Sequence, residues 1–105
     1  MTEIPFSFDN ELSTKLIILN LSSFSLEISP EGRGLFFDQK SGEMLSLNKT
    51  GAFIIENLRE AITFEDLAEA FSRKFGLSPH AAETDLREFL STLYEMKLLQ
   101  FVEVK

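Results

Sequence analysis

The segment from Gly34 to Leu58 (GLFFDQKSGEMLSLNKTGAFIIENL) constrains the fold of this chain more than any other part of its sequence. Apolar residues recur at strand spacing on both sides of a Ser-Gly turn, which predicts a hairpin of two short strands. Asn48 follows the second strand at once, and asparagine is a favourable helix N-cap residue. The segment is therefore predicted to run from a hairpin straight into a helix with almost no connector.

Three short strands are predicted to form an antiparallel meander, over residues 24–28, 34–38 and 43–47. In the third strand, alternation puts Leu45 and Leu47 on one face and the residues between and before them on the other. Phe36 and Phe37 are adjacent, so they point to opposite faces and one of them belongs to the core. Our register places Phe36 on the outer face, exposed or covered by the N-terminal segment.

Three helices are predicted after the meander, and the first covers about residues 49–60. Thr63 is the expected N-cap of the second helix, which ends at Gly76 because glycine tolerates a positive φ. Ser78 caps the third helix, and Pro79 occupies its first turn. The final LLQFVEV is extended in character and is expected to form a tail strand or wing.

These elements predict an α+β fold in which a small antiparallel three-stranded sheet is followed by three helices, as in a winged helix-turn-helix domain. The least readable part is residues 1–22, where LIILNL fits either an additional strand or part of a helix begun near Asn10. We expect an irregular or strand-like lead-in there. The predicted organisation is an N-terminal extension over residues 1–22 and a single domain over residues 23–105.

Charge and composition exclude several classes of protein. The net charge is −7, with acidic residues along the whole chain, whereas nucleic-acid binders present a basic face to phosphates. Cysteine is absent, which excludes disulfides and thiolate metal sites. The longest apolar stretch is too short to cross a bilayer, and the acidic start is unlike a secretory signal. We expect a cytoplasmic location and no membrane partner.

Catalytic chemistry has little support in the sequence. His80 is the only histidine, so it has no companion ligand or nucleophile, and an exposed helical position explains it best. The carboxylates of the third helix are spread around it rather than paired in an apolar setting. The GRG at 32–34 is too short for a phosphate-binding loop. We therefore predict no enzyme, no metal and no cofactor, and a hairpin edge suited to holding an extended peptide.

The chain resembles the PqqD family of peptide-binding domains, which are recognition elements for ribosomally made, post-translationally modified peptides. The resemblance rests on the turn SG at 41–42, the strand MLSLN at 44–48 and the signature LNKTGA at 47–52, with the two helical segments that follow. It covers roughly residues 24–100. The signature itself has a structural explanation, since Asn48 caps a helix and Gly51 allows close packing.

The resemblance implies a protein that binds the leader segment of a precursor peptide by strand addition to the third strand. The leader would then be presented to a separate modifying enzyme, such as a radical-SAM maturase or a processing protease. Asp85 and Glu88 would select Lys or Arg in the leader. The implied peptide-binding residues are Glu43, Met44, Leu45, Ser46, Leu47, Asp85, Glu88, Phe89, Thr92 and Met96.

Several alternatives stay open at this point. The opposite flank of the third helix, with Leu90 and Lys97, is the other candidate wall of the groove. A winged-helix DNA-binding regulator is the competing class, although residues 79–97 carry four acidic and two basic residues. A structural dimerisation domain, and hence a homodimer, is the third. The extension over residues 1–22 departs from the family and could cover the edge, exchange between protomers or contact the partner enzyme.

Overall fold

The computed structural model describes residues 6–20, 24–40 and 42–103 of the 105-residue chain. Predictions that concern Ser41 in the hairpin turn, or residues 1–5 and 21–23 of the N-terminal segment, lie outside the described residues. The helices are α1 (Phe6–Thr14), α2 (Lys49–Asn57), α3 (Phe64–Phe75) and α4 (Pro79–Glu95). The strands are β1 (Leu16–Leu19), β2 (Phe24–Ile28), β3 (Gly34–Asp38), β4 (Met44–Leu47), β5 (Ile62–Thr63) and β6 (Leu99–Val102).

The strands form two antiparallel sheets, ordered β2-β3-β4 and β5-β1-β6. The first is the predicted meander, and α2, α3 and α4 follow it as predicted, so the α+β winged-helix-like fold is confirmed. The three helices and the inner faces of the strands enclose one apolar core. Its largest fully buried side chains are Phe36, Ile17, Ile55, Leu58, Leu67, Leu86, Leu90 and Leu93.

The predicted starts of α2, α3 and α4 and the predicted end of α3 at Gly76 are confirmed, whereas α2 ends at Asn57 rather than near residue 60. The side chains of Asn48, Thr63 and Ser78 accept hydrogen bonds from the backbone N–H three residues later, over 2.9, 3.0 and 3.2 Å. These bonds satisfy N–H groups that have no partner within the helix. Gly76 ends α3 in the left-handed region at φ 66°. Local sequence therefore sets where the three helices begin.

Asn48→Ala is expected to lower the free energy of unfolding by about 1 kcal/mol, because it leaves the N-terminal N–H groups of α2 without their side-chain acceptor. Asn48→Asp keeps an acceptor oxygen and adds a negative charge at the positive end of the helix, so it should be close to neutral. Urea denaturation of the three proteins measures both effects. An unchanged free energy of unfolding in Asn48→Ala would show that the cap contributes nothing to stability.

The predicted outer position of Phe36 is wrong, since its side chain is fully buried and Phe37 is only half-buried. Phe36 pairs with Leu26 on one side and Leu45 on the other, and all three project toward the core. Its ring lies 5.3 Å from that of Phe24. These cross-strand partners determine which residues of β3 face the core. The inward-facing residues are therefore one position away from those that we predicted.

The N-terminal region contains a helix and a strand where we predicted an irregular or strand-like lead-in. β1 lies between β5 and β6, with Leu16 opposite Val102 and Leu19 opposite Leu99. The C-terminal segment is thus a tail strand. The side chains that this region adds to the core are Phe8, Leu12, Ile17 and Leu19. The division of the chain at residue 22 stays a prediction.

Ion pairs join the N-terminal region to the tail. The ammonium group of Lys15 lies 2.9 Å from a carboxylate oxygen of Glu103 and 3.2 Å from one of Glu11. Hydrogen bonds to Glu103 and then Glu11 raise the pKa of Lys15 above its ordinary value.

Among the helices of the described residues, none is long and apolar enough to cross a membrane.

Candidate functional site

β4 is an edge strand. In the part of the chain that the structure describes, it pairs with β3 on one side and with no strand on the other. Its side chains alternate as predicted: Leu47 is buried and Leu45 half-buried, whereas Met44 and Ser46 are exposed. An edge strand presents backbone N–H and C=O groups that can pair with another chain. The open edge of β4 is thus a place where an extended segment can add a strand.

Hydrogen-bonded and non-bonded residue pairs alternate along the hairpin, and their order identifies which backbone groups of β4 point outward. The N–H of Asp38 donates to the carbonyl of Glu43 over 2.9 Å, so these two residues form a hydrogen-bonded pair. Such pairs alternate with non-bonded ones in an antiparallel ladder, which makes Met44 and Ser46 members of non-bonded pairs with β3. Their N–H and C=O groups therefore point to the open edge.

The hydrogen bonds between β3 and β2 support the same order of bonded and non-bonded pairs. The N–H of Ser29 donates to the carbonyl of Arg33 over 2.8 Å, which fixes the bonded pairs between β2 and β3. By alternation, Leu35 and Phe37 exchange their bonds with β2. The remaining residues of β3 are then left to bond with β4, as the Asp38 bond requires. Two independent hydrogen bonds thus agree on the outward groups.

A groove of about 580 Å³ runs beside this edge, between the end of β4, the start of α2 and one flank of α4. Its base is apolar and belongs to the core, because Ile54 and Phe71 are each only 2% exposed. The residues that line it are Ser46, Leu47, Asn48, Thr50, Ile54, Phe71, Asp85, Glu88, Phe89 and Thr92.

Gly51 allows α2 to lie close to α4 at the base of the groove. A Cβ atom added there would be 3.4 Å from Cε1 of Phe89 and 3.4 Å from Cδ2 of Leu47. It would also be 3.3 Å from Oδ1 of Asn48, the atom that caps the helix. The absence of a side chain therefore lets the Phe89 ring rest against the first turn of α2.

The charged wall of the groove is acidic. Asp85 and Glu88 are both exposed, and within the described residues neither carboxylate has an ion-pair partner. Arg87 lies between them in sequence but points elsewhere, since its guanidinium carbon is 5.2 Å from the centroid of the Phe64 ring. The lining residues include these two acids and no basic side chain. The groove therefore presents uncompensated negative charge above an apolar base.

The structure brings six of the ten residues implied by the resemblance into this groove: Ser46, Leu47, Asp85, Glu88, Phe89 and Thr92. Glu43 and Met44 are exposed at the start of β4, and half-buried Leu45 packs against the core. Met96 is the C-cap of α4 and also packs against the core. On the alternative flank, Leu90 is fully buried and so offers no contact surface.

Four lining residues were not predicted as site residues: Asn48, Thr50, Ile54 and Phe71. Asn48 and Thr50 belong to the LNKTGA signature, which the sequence explains by helix capping at Asn48 and close packing at Gly51. The signal that would have found them is their position directly after the edge strand.

His80 is exposed and outside the groove. Among the described residues, no group of three or more His, Cys, Asp or Glu side chains is arranged to hold a metal ion.

The open-edged meander and the groove against α4 define a winged-helix-like α+β domain. Residues 28–99 match the family described as coenzyme PQQ synthesis protein D (PqqD), which is more than half of the chain. The chain therefore belongs to the PqqD family. Among curated proteins, no sequence matches it significantly.

Two solved structures share the fold. TbiB1 in complex with the TbiA(beta) leader peptide is 22% identical, with a TM-score of 0.66 over 75% of this chain and 91% of that one. The second is the solution NMR structure of the PqqD truncation of Methylobacterium extorquens PqqCD. It represents a functional and stand-alone recognition element for ribosomally synthesised and post-translationally modified peptides. It is 13% identical, with a TM-score of 0.64 over 86% of this chain and 98% of that one.

Proposed function

We propose that this protein binds the leader segment of a ribosomally made precursor peptide, which adds a strand to the open edge of β4. The observation that carries the proposal is the unpaired edge of β4, where the backbone groups of Met44 and Ser46 point outward and Ser46 lines the groove beside α4. Membership of the PqqD family supports it. So does the shared fold with TbiB1, which was solved with a leader peptide bound.

Strand addition divides recognition between backbone and side chains. The N–H and C=O groups of Met44 and Ser46 supply hydrogen bonds that any extended peptide can form, and so give general affinity. Side chains of the leader that enter the groove contact Leu47, Phe89 and the apolar base, and these contacts distinguish one leader from another. In this proposal the outward backbone groups of β4 form one side of the site. The other side is the groove wall, which contains Ser46, Leu47, Asp85, Glu88, Phe89 and Thr92.

We also propose that the protein is not an enzyme and delivers its leader to a separate modifying enzyme, such as a radical-SAM maturase or a processing protease. The neighbour described as a stand-alone recognition element supports this division of labour. DNA binding is not proposed. α4 is the helix that would enter the DNA major groove, and the two charged residues that it contributes to the protein's own groove, Asp85 and Glu88, are acidic.

The direct test is an NMR titration of the whole protein with a synthetic leader from the precursor peptide encoded nearest to its gene. Strand addition predicts the largest amide shifts at residues 43–48 and on α4 over residues 85–92. Shifts confined to the sheet β5-β1-β6 would place the peptide elsewhere. An absence of shifts at saturating concentrations, with this and other short leaders from the same locus, would reject leader binding.

Thr92→Lys is expected to lower leader affinity at least several-fold while leaving the melting temperature nearly unchanged. Thr92 is exposed on the groove wall, so a longer side chain occupies space that the leader needs. The new Lys lies four residues after Glu88, a spacing at which the pair favours the helix slightly. Calorimetric titration and thermal melts measure the two effects.

Ser25→Lys is the matched control, because Ser25 is exposed on β2 and lies outside the groove. It introduces the same charged side chain away from Asp85 and Glu88, so it should leave affinity unchanged. If both variants bind the leader as the unmodified protein does, this flank of α4 does not contact the peptide.

A further inference from the structure

The alternation of inward and outward side chains along β4 determines which side chains of an added strand face the groove. Directly paired residues of neighbouring strands project from the same face of a sheet. Leu45 and Leu47 project toward the core side, where α4 lies, and Met44 and Ser46 project outward. Leader residues opposite Leu45 and Leu47 therefore face α4, and the residue between them faces solvent. Two groove-facing side chains are thus separated by about 6.8 Å.

The flank of α4 offers two different surfaces at a similar separation. Asp85 and Phe89 are four residues apart, which is about 6 Å along the helix axis, and Glu88 lies between them. The Phe89 ring is half-buried over the apolar base, whereas both carboxylates are exposed. An extended segment along the groove can therefore place one side chain near the ring and another near the acidic turn.

Charge decides what the second side chain must be. Neither carboxylate forms an ion pair within the described residues, and the groove lining has no basic side chain. A leader carrying Lys or Arg at this position supplies the missing partner. A leader with Asp or Glu there is repelled, and one with an apolar side chain removes water from the carboxylates without replacing it.

We propose that the groove selects leader segments in which Lys or Arg stands two residues from a large apolar side chain. The apolar side chain packs on Phe89 and the basic group pairs with Asp85 and Glu88. This inference rests on the proposed leader binding and specifies the chemical class of leader that is bound. The direction of the added strand decides which of the two side chains comes first.

The test is selection from a random 14-residue phage-displayed peptide library against the full-length protein and against the double variant Asp85→Asn/Glu88→Gln. The unmodified protein should enrich peptides with Lys or Arg two positions from a large apolar residue. The double variant should lose the basic preference and keep the apolar one. For a selected peptide, the double variant should bind about fivefold more weakly, as expected for exposed ion pairs.

A matched control is Glu65→Gln/Glu83→Gln, which removes the same charge from exposed acids outside the groove. Replacing Lys by Gln in the selected peptide should weaken binding to the unmodified protein and to this control, but not to the groove variant. A basic preference that survives in the groove variant would overturn the inference. So would selected peptides that carry no basic preference.

Met44→Pro separates this inference from the proposal on which it rests. If selected peptides lack a basic residue but lose binding to Met44→Pro, the edge binds leaders and only the stated leader class is wrong. If binding of every selected peptide is indifferent to Met44→Pro, strand addition at β4 is wrong, and the leader class fails with it.

Discussion

Leu47→Asp is expected to unfold the protein, or to lower its free energy of unfolding by about 4 kcal/mol or more. Leu47 is 8% exposed where β4 meets α2, and its methyl groups lie beside the backbone of Gly34 and Gly51. An aspartate there places a carboxylate among apolar neighbours with no partner, and it also removes the packing of the leucine. Total stabilities of domains are about 5–15 kcal/mol, so such a loss removes a large share of the stability and most of it for a domain near the lower limit. Circular dichroism melts and urea titrations measure it.

Ser46→Asp is the control, because it introduces the same group one residue away on the exposed face of the strand. It should change the free energy of unfolding by about 0.5 kcal/mol or less. The reverse order of effects would mean that the register of β4 is shifted by one residue. It would then also reverse the outward and inward groups from which the binding site is derived.

Met44→Pro is expected to weaken leader binding at least tenfold while the protein stays folded. The N–H of Met44 points to the open edge, so it contributes nothing to the hairpin and is available to an added strand. Proline removes that donor, and edge positions are where strands accept proline. Calorimetric titration with the leader, together with a thermal melt, tests both halves of this expectation.

Two neighbouring variants make this result interpretable. Met44→Ala removes the side chain and keeps the N–H, so it should retain most of the affinity. Leu45→Pro removes an N–H that faces β3, so it should lower the melting temperature instead. Full affinity in Met44→Pro would show that the peptide does not pair with β4.

Local sequence signals predicted the strands β2 to β4 and the helices α2 to α4, because each is specified by a few adjacent residues. They did not predict the two-residue strand β5. Asn48, Thr63 and Ser78 mark helix starts through bonds that span only three residues. Alternation placed Leu45 and Leu47 on the core side correctly, since polar or exposed neighbours make the pattern unambiguous. Such features need no knowledge of the rest of the chain.

The failures concern features that distant residues decide. Phe36 and Phe37 are both apolar, so alternation alone cannot choose between them, and the choice falls to Leu26 and Leu45 across the sheet. β1 is a strand because the C-terminal strand β6 and the short β5 flank it. Pairing over more than 80 residues leaves no trace in a local pattern.

In the candidate site, too, the features set by adjacent residues could be predicted and those set by distant residues could not. The helical period placed Asp85, Phe89, Thr92 and Met96 on one flank of α4, with Glu88 at its border. The groove contains all of these except Met96, which packs against the core. The contribution of Asn48 was missed because its capping role already explained the residue type. The outward phase of β4 was beyond sequence, since it depends on which residue of β3 bonds to Glu43.

The pairing of β1 with β6 has a consequence for how this domain can be tethered. The Phe8 and Phe101 rings lie 6.1 Å apart, and Lys15 forms an ion pair with Glu103, so α1 and the end of β6 lie together. A linker inserted at α1 or at the end of β6 would therefore start from neighbouring points of the domain. Because effective concentration depends on linker length and span, we expect an enzyme tethered at either point to have similar reach to a bound leader.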